Sequence, residues 1–375
     1  MCRVLWIDKC TQTGVHDGKK VVFPKVDAPL RTDAAFDNMV DEDHHRGPNP
    51  FFGLSLKMIT QFPLDYMHLV CLGVTKRLLC LYLSQRIQAR VWSGISERLV
   101  GLHKSIPSEF ARKPRPISEY LRWKATEFRQ FLLYTGPVVL YNNIPEALYH
   151  NFILLSVGIR ILCDSDLCVT KLHLAHLCLT SFVTHCFNLF GLGSMVYNVH
   201  GLVHLCEDVR KYGPLDNFSS FPYENYLGKL KKMVRKPTHV LEQIVLRLKE
   251  KCSLEKKQKN FADNQTLSCT NKILKLKNPH SSGQIACNSF SEKHSKIQFK
   301  QFFLTKRSPD NCFEIEGSIA LVVDIMKSGS NVFVEYQIFQ RIRPLFSYPI
   351  NSFDLNICIV SSPAVKFHRI DVTEI

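Results

Sequence analysis

Asp65 and His68 stand three residues apart in FPLDYMHLVCLGVTKRLL (62–79), at the front of a helical pattern. One helical turn puts such a pair on the same face. A carboxylate and an imidazole placed so can orient each other or share a divalent ion. The same spacing has a plainer use, with Asp65 capping the helix and His68 sitting half-buried beside it. His200 and His204, at i and i+4 in YNVHGLVHLCEDVRKYGPLDNFSSFPYENYLGKLKKMVRKP (197–237), form a second candidate pair, with metal-binding geometry. Gly201 and Leu202 stand where a His-Glu-x-x-His metalloprotease would begin its Glu, so a zinc hydrolase is not expected. The plainer reading of this pair is a half-buried helix carrying two polar histidines. Glu224 lies at a helix start, where the helix dipole favours a carboxylate whatever its function.

Directly behind Glu224 runs a dense basic stretch. Between Lys229 and Lys259 there are eleven Lys and Arg, among them Lys229, Lys231, Lys232, Arg235 and Lys236, against three Glu. A stripe of this kind neutralises backbone phosphates, and DNA is the expected partner; a solvated helix face is the alternative. KLKKMVRKP also fits a nuclear import signal.

These residues must be positioned by a mainly helical body. From Leu64 apolar residues recur at helical spacing, and further helical patterns cover about 93–104, 117–133, 145–163, 170–190, 197–212, 222–232 and 238–252. Pro107, Pro114, Pro116, Pro137, Pro145 and Pro214 fall between them or near their starts, where proline is tolerated. Residues 1–63 are rich in turn formers and read as irregular, with one hairpin around VHDGKKVVF. Residues 253–300 are rich in Lys, Ser and Asn and read as a basic polar linker. After it the pattern alternates in FEIEGSIALVVDIM, NVFVEYQIF and DLNICIV, which predicts a small β-rich domain over 301–375. The expected order is an irregular segment (1–63), a helical body (64–252), a linker (253–300) and a β domain (301–375).

Bulk composition agrees with a folded chain that favours polyanions. Of 375 residues 45% are hydrophobic and 22% charged, and 48 Lys and Arg against 33 Asp and Glu leave a formal charge of +15. The 14 Cys are scattered through apolar helical stretches, so free thiols in a reducing compartment are expected. The N-terminus lacks the apolar core of a signal peptide, and the apolar run around 182–203 is broken by His185, Asn188, Asn198 and His200. An intracellular protein without a membrane span is therefore expected. No Gly-x-Ser-x-Gly elbow is present, and the Gly-Leu-Gly at 191–193 follows a helix rather than a strand.

Taken together, KCTQTGVHDGKKVVFP, DAPLRTDAAF, EDHHRGPNPF, FPLDYMHLVCLGVTKRLL, WKATEFRQFLLYTGPVVL, the 197–235 block and FSYPINSFDLNICIV resemble consecutive blocks of animal CACTA-type (En/Spm-like) transposases. The resemblance covers nearly the whole chain in the same order. It implies descent from a DDE-type nuclease with an RNase H-like core and a helical insertion. Three carboxylates of such a nuclease hold two Mg²⁺ or Mn²⁺ ions for DNA strand cleavage. Asp65 and His68 match the family's Asp-x-x-His motif, and Glu224 best matches its last acidic residue. Ile7 stands where the first Cys of a zinc-binding pair would be, leaving Cys10 without a partner in a degenerate knuckle, so loss of the Zn²⁺ site is expected. The two upstream catalytic Asp residues have no counterpart here. The resemblance thus implies a transposase-derived nuclear protein, catalytically inactive and DNA-binding. An active transposase with an incomplete gene model and a helical interaction scaffold are the alternatives.

Overall fold

A computed structural model describes residues 9, 14–18, 20–40, 51, 53–262, 275–280, 292–299, 302–329 and 331–375. Contacts gather these into two units: 1–106, 110–219 and 342–359 form the first, and 107–109, 220–341 and 360–375 the second.

In the first unit, Asp-Gly at 17–18 turns a hairpin of β1 (Val15–Asp17) and β2 (Lys20–Val22), with Gly18 at φ +58°. The hairpin is anchored by the fully buried Val22, which bridges Val196, and by Phe23 N–H donating to the Met195 carbonyl at 2.6 Å. The helical pattern from Leu64 opens as a π-helical run, Met67–Thr75, and continues as α2, Lys76–Leu83. Wide turns of this kind concentrate at functional sites.

The core of this unit is α6 (Glu146–Cys163) against α8 (Leu172–Phe190). On α8 the buried residues Ala175, Cys178, Leu179, Phe182, Val183 and Cys186 recur at three and four, which is why the stripe was visible in the sequence. On α6, 13 of 18 residues are buried. It is long and apolar enough by composition to cross a membrane, but here that surface is buried in the protein interior. Phe152 of α6 meets Phe131 edge-on at 5.6 Å between ring centres, and Phe131 meets Trp123 at 5.6 Å. The buried amide of Asn151 is paired within this core: it donates to the Phe182 carbonyl at 3.3 Å and accepts from the Tyr82 hydroxyl at 3.2 Å.

The second unit holds α11 (Phe221–Met233), α12 (Val240–Ala262) and an antiparallel sheet. The sheet contains β3 (Lys275–His280), β4 (Glu292–Gln298), β7 (Ser318–Ser328), β8 (Asn331–Pro344) and β10 (His368–Asp371), ordered β10-β8-β7-β4-β3. Three shorter strands join it: β5 (Phe303–Thr305) on β4, β6 (Cys312–Ile315) on β7, and β9 (Cys358–Pro363) on β8. Glu316 and Gly317, both at positive φ, turn β6 into β7 as a two-residue hairpin. Ile297, Leu304, Val322, Ile325 and Val334 make its core.

The fold is therefore a helical body followed by a small β domain, as the patterns predict. The proposed linker at 253–300 is different in detail. Its first ten residues continue α12, and 275–280 and 292–298 are strands. Neither strand alternates in polarity: β4 is recruited by pairing with β7, whose Ile325 and Met326 face His294 and Lys293 across the ladder, and β3 in turn pairs with β4. The divide between units also falls at Ser219–Ser220, so α11 and α12 group with the sheet.

Candidate functional site

Asp65 lies two residues before the π-helical run, where it caps the helix start and meets His68. Its carboxylate accepts from the His68 backbone N–H at 3.0 Å and from Met67 N–H at 3.4 Å, satisfying donors that a helix start leaves open. The same Oδ2 also meets His68 Nδ1 in a short contact. The side chains of His68 and Asp65 are 43% and 23% exposed, so the pair sits at the surface edge. Two of the anticipated site stretches pack directly together. A Cβ on Gly73 would lie 2.4 Å from Asn198 Nδ2, and one on Gly201 would lie 3.1 Å from Leu69 Cδ1. Only glycine permits the first of these approaches.

What fixes Asp65 in place is a group that its own neighbourhood does not reveal. Asp208, in α10 (Leu205–Tyr212), accepts from Leu64 N–H at 2.8 Å through Oδ2 and from Lys9 Nζ at 2.9 Å through Oδ1. Lys9 also donates to the Ile59 carbonyl at 3.1 Å. Lys9 and Asp208 together thus tie the Ile59 carbonyl, the chain entering Asp65 and α10.

His200 closes α9 (Tyr197–His200), and His204 follows one turn later; both are buried. Their Nε2 atoms lie 3.3 Å apart, so one ring donates its N–H and the other accepts it. Burial, with His200, Lys9 and His176 nearby, brings His204 down from the ordinary 6.5 to about 4. Both rings are therefore used by each other and by the core. Among the described residues no group of three His, Cys, Asp or Glu gathers in metal-binding geometry. Cys10 lies outside the described residues.

The neutral His204 gives a signed pH prediction. Between pH 6.5 and 4 the unfolded chain binds a proton at this ring that the folded chain does not, so stability is full above that window and falls through it. The ceiling is about 3 kcal/mol. Denaturant melts across that range should show the loss, and His204→Gln should flatten it. An unchanged slope in the variant contradicts the assignment.

Beside His204 opens a cavity of about 810 Å³, whose wall includes Lys9, His176, Glu207, Asp208 and Lys211. Neither this cavity nor the Lys9–Asp208 pair has a signature in local spacing, because their residues come from distant segments.

Glu224 lies in the second unit, exposed in the first turn of α11, where the dipole reading applies. Lys229, Lys231 and Lys232 on α11 and Arg235 and Lys236 just after it are all exposed. Gln243 of α12 holds the connection after α11. Its Oε1 accepts from Arg235 N–H at 2.9 Å and Lys236 N–H at 3.2 Å, and its Nε2 donates to the Lys236 and Thr238 carbonyls at 2.9 and 2.7 Å. Four hydrogen bonds from one amide make the basic turn a built feature rather than a loose tail.

The donor set does not fit a two-metal centre. Such a centre needs several carboxylates free to bridge two ions, whereas the oxygens of Asp65 already accept two amides and meet an imidazole. The His200–His204 pair likewise does not fit structural zinc, which takes four ligands.

A family profile described as "Domain of unknown function (DUF8592)" matches residues 279–375, which include most of the sheet. No curated protein and no solved structure matches the chain.

Proposed function

We propose that this chain is a transposase-derived protein of CACTA type that binds DNA through the basic end of α11 without cutting it. The observation that carries the reading is the exposed cluster Lys229, Lys231, Lys232, Arg235 and Lys236, its turn held by Gln243. Five cations on one short segment meet the regular charge of a nucleic-acid backbone. The block resemblance supplies the class of partner, DNA, and a nuclear location, where the same Lys-rich segment would serve for import. The non-cutting half is supported by the use of Asp65 as a helix cap and by the buried, mutually bonded state of His200 and His204. The test is whether the purified chain retards plasmid DNA while leaving it unnicked in Mg²⁺ or Mn²⁺.

A further inference from the structure

α11 carries a second feature that charge alone does not explain. No residue of this helix is buried. Tyr223 is 72% exposed, and Tyr226 and Leu227 are each 49% exposed. Positions 223, 226, 227 and 230 fall on one side of a helix with 3.6 residues per turn. Lys229 and Lys231 flank that side, whereas Lys232 falls on the opposite face. Single exposed apolar residues need no explanation, but a contiguous stripe of two tyrosines and two leucines on an otherwise solvated helix marks a contact surface.

Charge complementarity decides the occupant. Phe221–Lys236 holds five cations against the single carboxylate of Glu224. A second copy of this chain would bring the same cations face to face, whereas a nucleic acid brings phosphates. The two rings then discriminate between forms of nucleic acid. In a duplex the base faces are covered by their neighbours, so a tyrosine ring has nothing to stack upon. In a single strand the faces are open, and stacking on aromatic side chains beside a basic track is the general mode of binding.

We propose that α11 is a stacking platform for single-stranded nucleic acid, with bases on Tyr223 and Tyr226 and phosphates met by Lys229 and Lys231 on the flanks of the stripe. This rests on the DNA-binding reading above and adds the form of the ligand. The test compares a fluorescent oligo-dT with a duplex of equal length, titrated with the full chain. Tyr223→Ala combined with Tyr226→Ala should weaken oligo-dT binding about 5- to 100-fold for each ring that stacks and leave duplex binding nearly unchanged. Tyr223→Phe with Tyr226→Phe should restore it, because the ring and not the hydroxyl stacks. Lys229→Gln with Lys231→Gln should weaken both ligands. If the double alanine variant binds oligo-dT as the parent does, while duplex binding remains salt-dependent, the platform is refuted and the DNA reading stands. If the parent binds neither oligonucleotide, both fall. A parent that is dimeric by light scattering and made monomeric by the double alanine variant would assign the stripe to self-association and overturn the proposal.

Discussion

Replacing Asp208 by Ala is expected to lower the unfolding free energy by about 3–5 kcal/mol, the usual consequence of leaving one partner of a buried ion pair uncompensated. The side chains of Lys9 and Asp208 are only 10% and 6% exposed. Removing the carboxylate strands the Lys9 ammonium out of water, frees the Leu64 amide and loosens the chain that enters Asp65. Much of the cost is the stranded charge rather than the attraction itself. The double replacement Lys9→Met with Asp208→Leu should therefore recover most of the loss. Urea denaturation monitored by circular dichroism reads both variants. A double variant no more stable than Asp208→Ala would mean that the Leu64 hydrogen bond, and not the buried charge, carries the effect.

The second large effect concerns binding. Neutralising Lys229, Lys231, Lys232, Arg235 and Lys236 to Gln together should reduce the slope of log affinity against log salt for duplex DNA by about 4 to 5. That slope corresponds to a difference of about 10²- to 10³-fold between 50 and 200 mM salt. Because all five side chains are exposed, the fold should be unaffected, which a thermal melt checks directly. Fluorescence anisotropy at a series of salt concentrations gives the slope. An unchanged slope would place the phosphate contacts elsewhere on this basic chain.

The helical body was legible because burial leaves a trace in the sequence: α8 buries residues at three- and four-residue intervals, and α6, buried nearly all round, is a long apolar run. FEIEGSIALVVDIM, read as one alternating segment, is two strands, β6 and β7, turned at Glu316 and Gly317, whereas the β1–β2 hairpin was legible from Asp-Gly. The strands β3 and β4 were not, since neither KLKNPH nor EKHSKIQ alternates in polarity. Pro279 argues further against a strand, and is accommodated because β3 lies at the end of the sheet order.

The site divides in the same way. The Asp65–His68 contact and the His200–His204 contact are local, so their spacing foretold them. The spacing could not foretell the uses of these groups: a cap for Asp65, and a hydrogen bond within the core for the histidines. Lys9 and Asp208 lie 199 residues apart and share no local signature at all. Tyr223 and Tyr226 were visible as residue types, but only the absence of burial along α11 marks them as a contact surface. The π-helical geometry at Met67–Thr75 arises alongside the close approach of Asn198 to Gly73, a tertiary contact that a periodicity reading treats as ordinary helix.

The central claim is that this chain holds DNA without cutting it. Supercoiled plasmid incubated with the purified full chain and either Mg²⁺ or Mn²⁺, then resolved on a gel with and without prior deproteinisation, reads both halves at once. The expected result is retarded migration that salt reverses, with the plasmid still supercoiled after the protein is removed. Nicked circles that accumulate with time, and that disappear with Glu224→Ala, would contradict it.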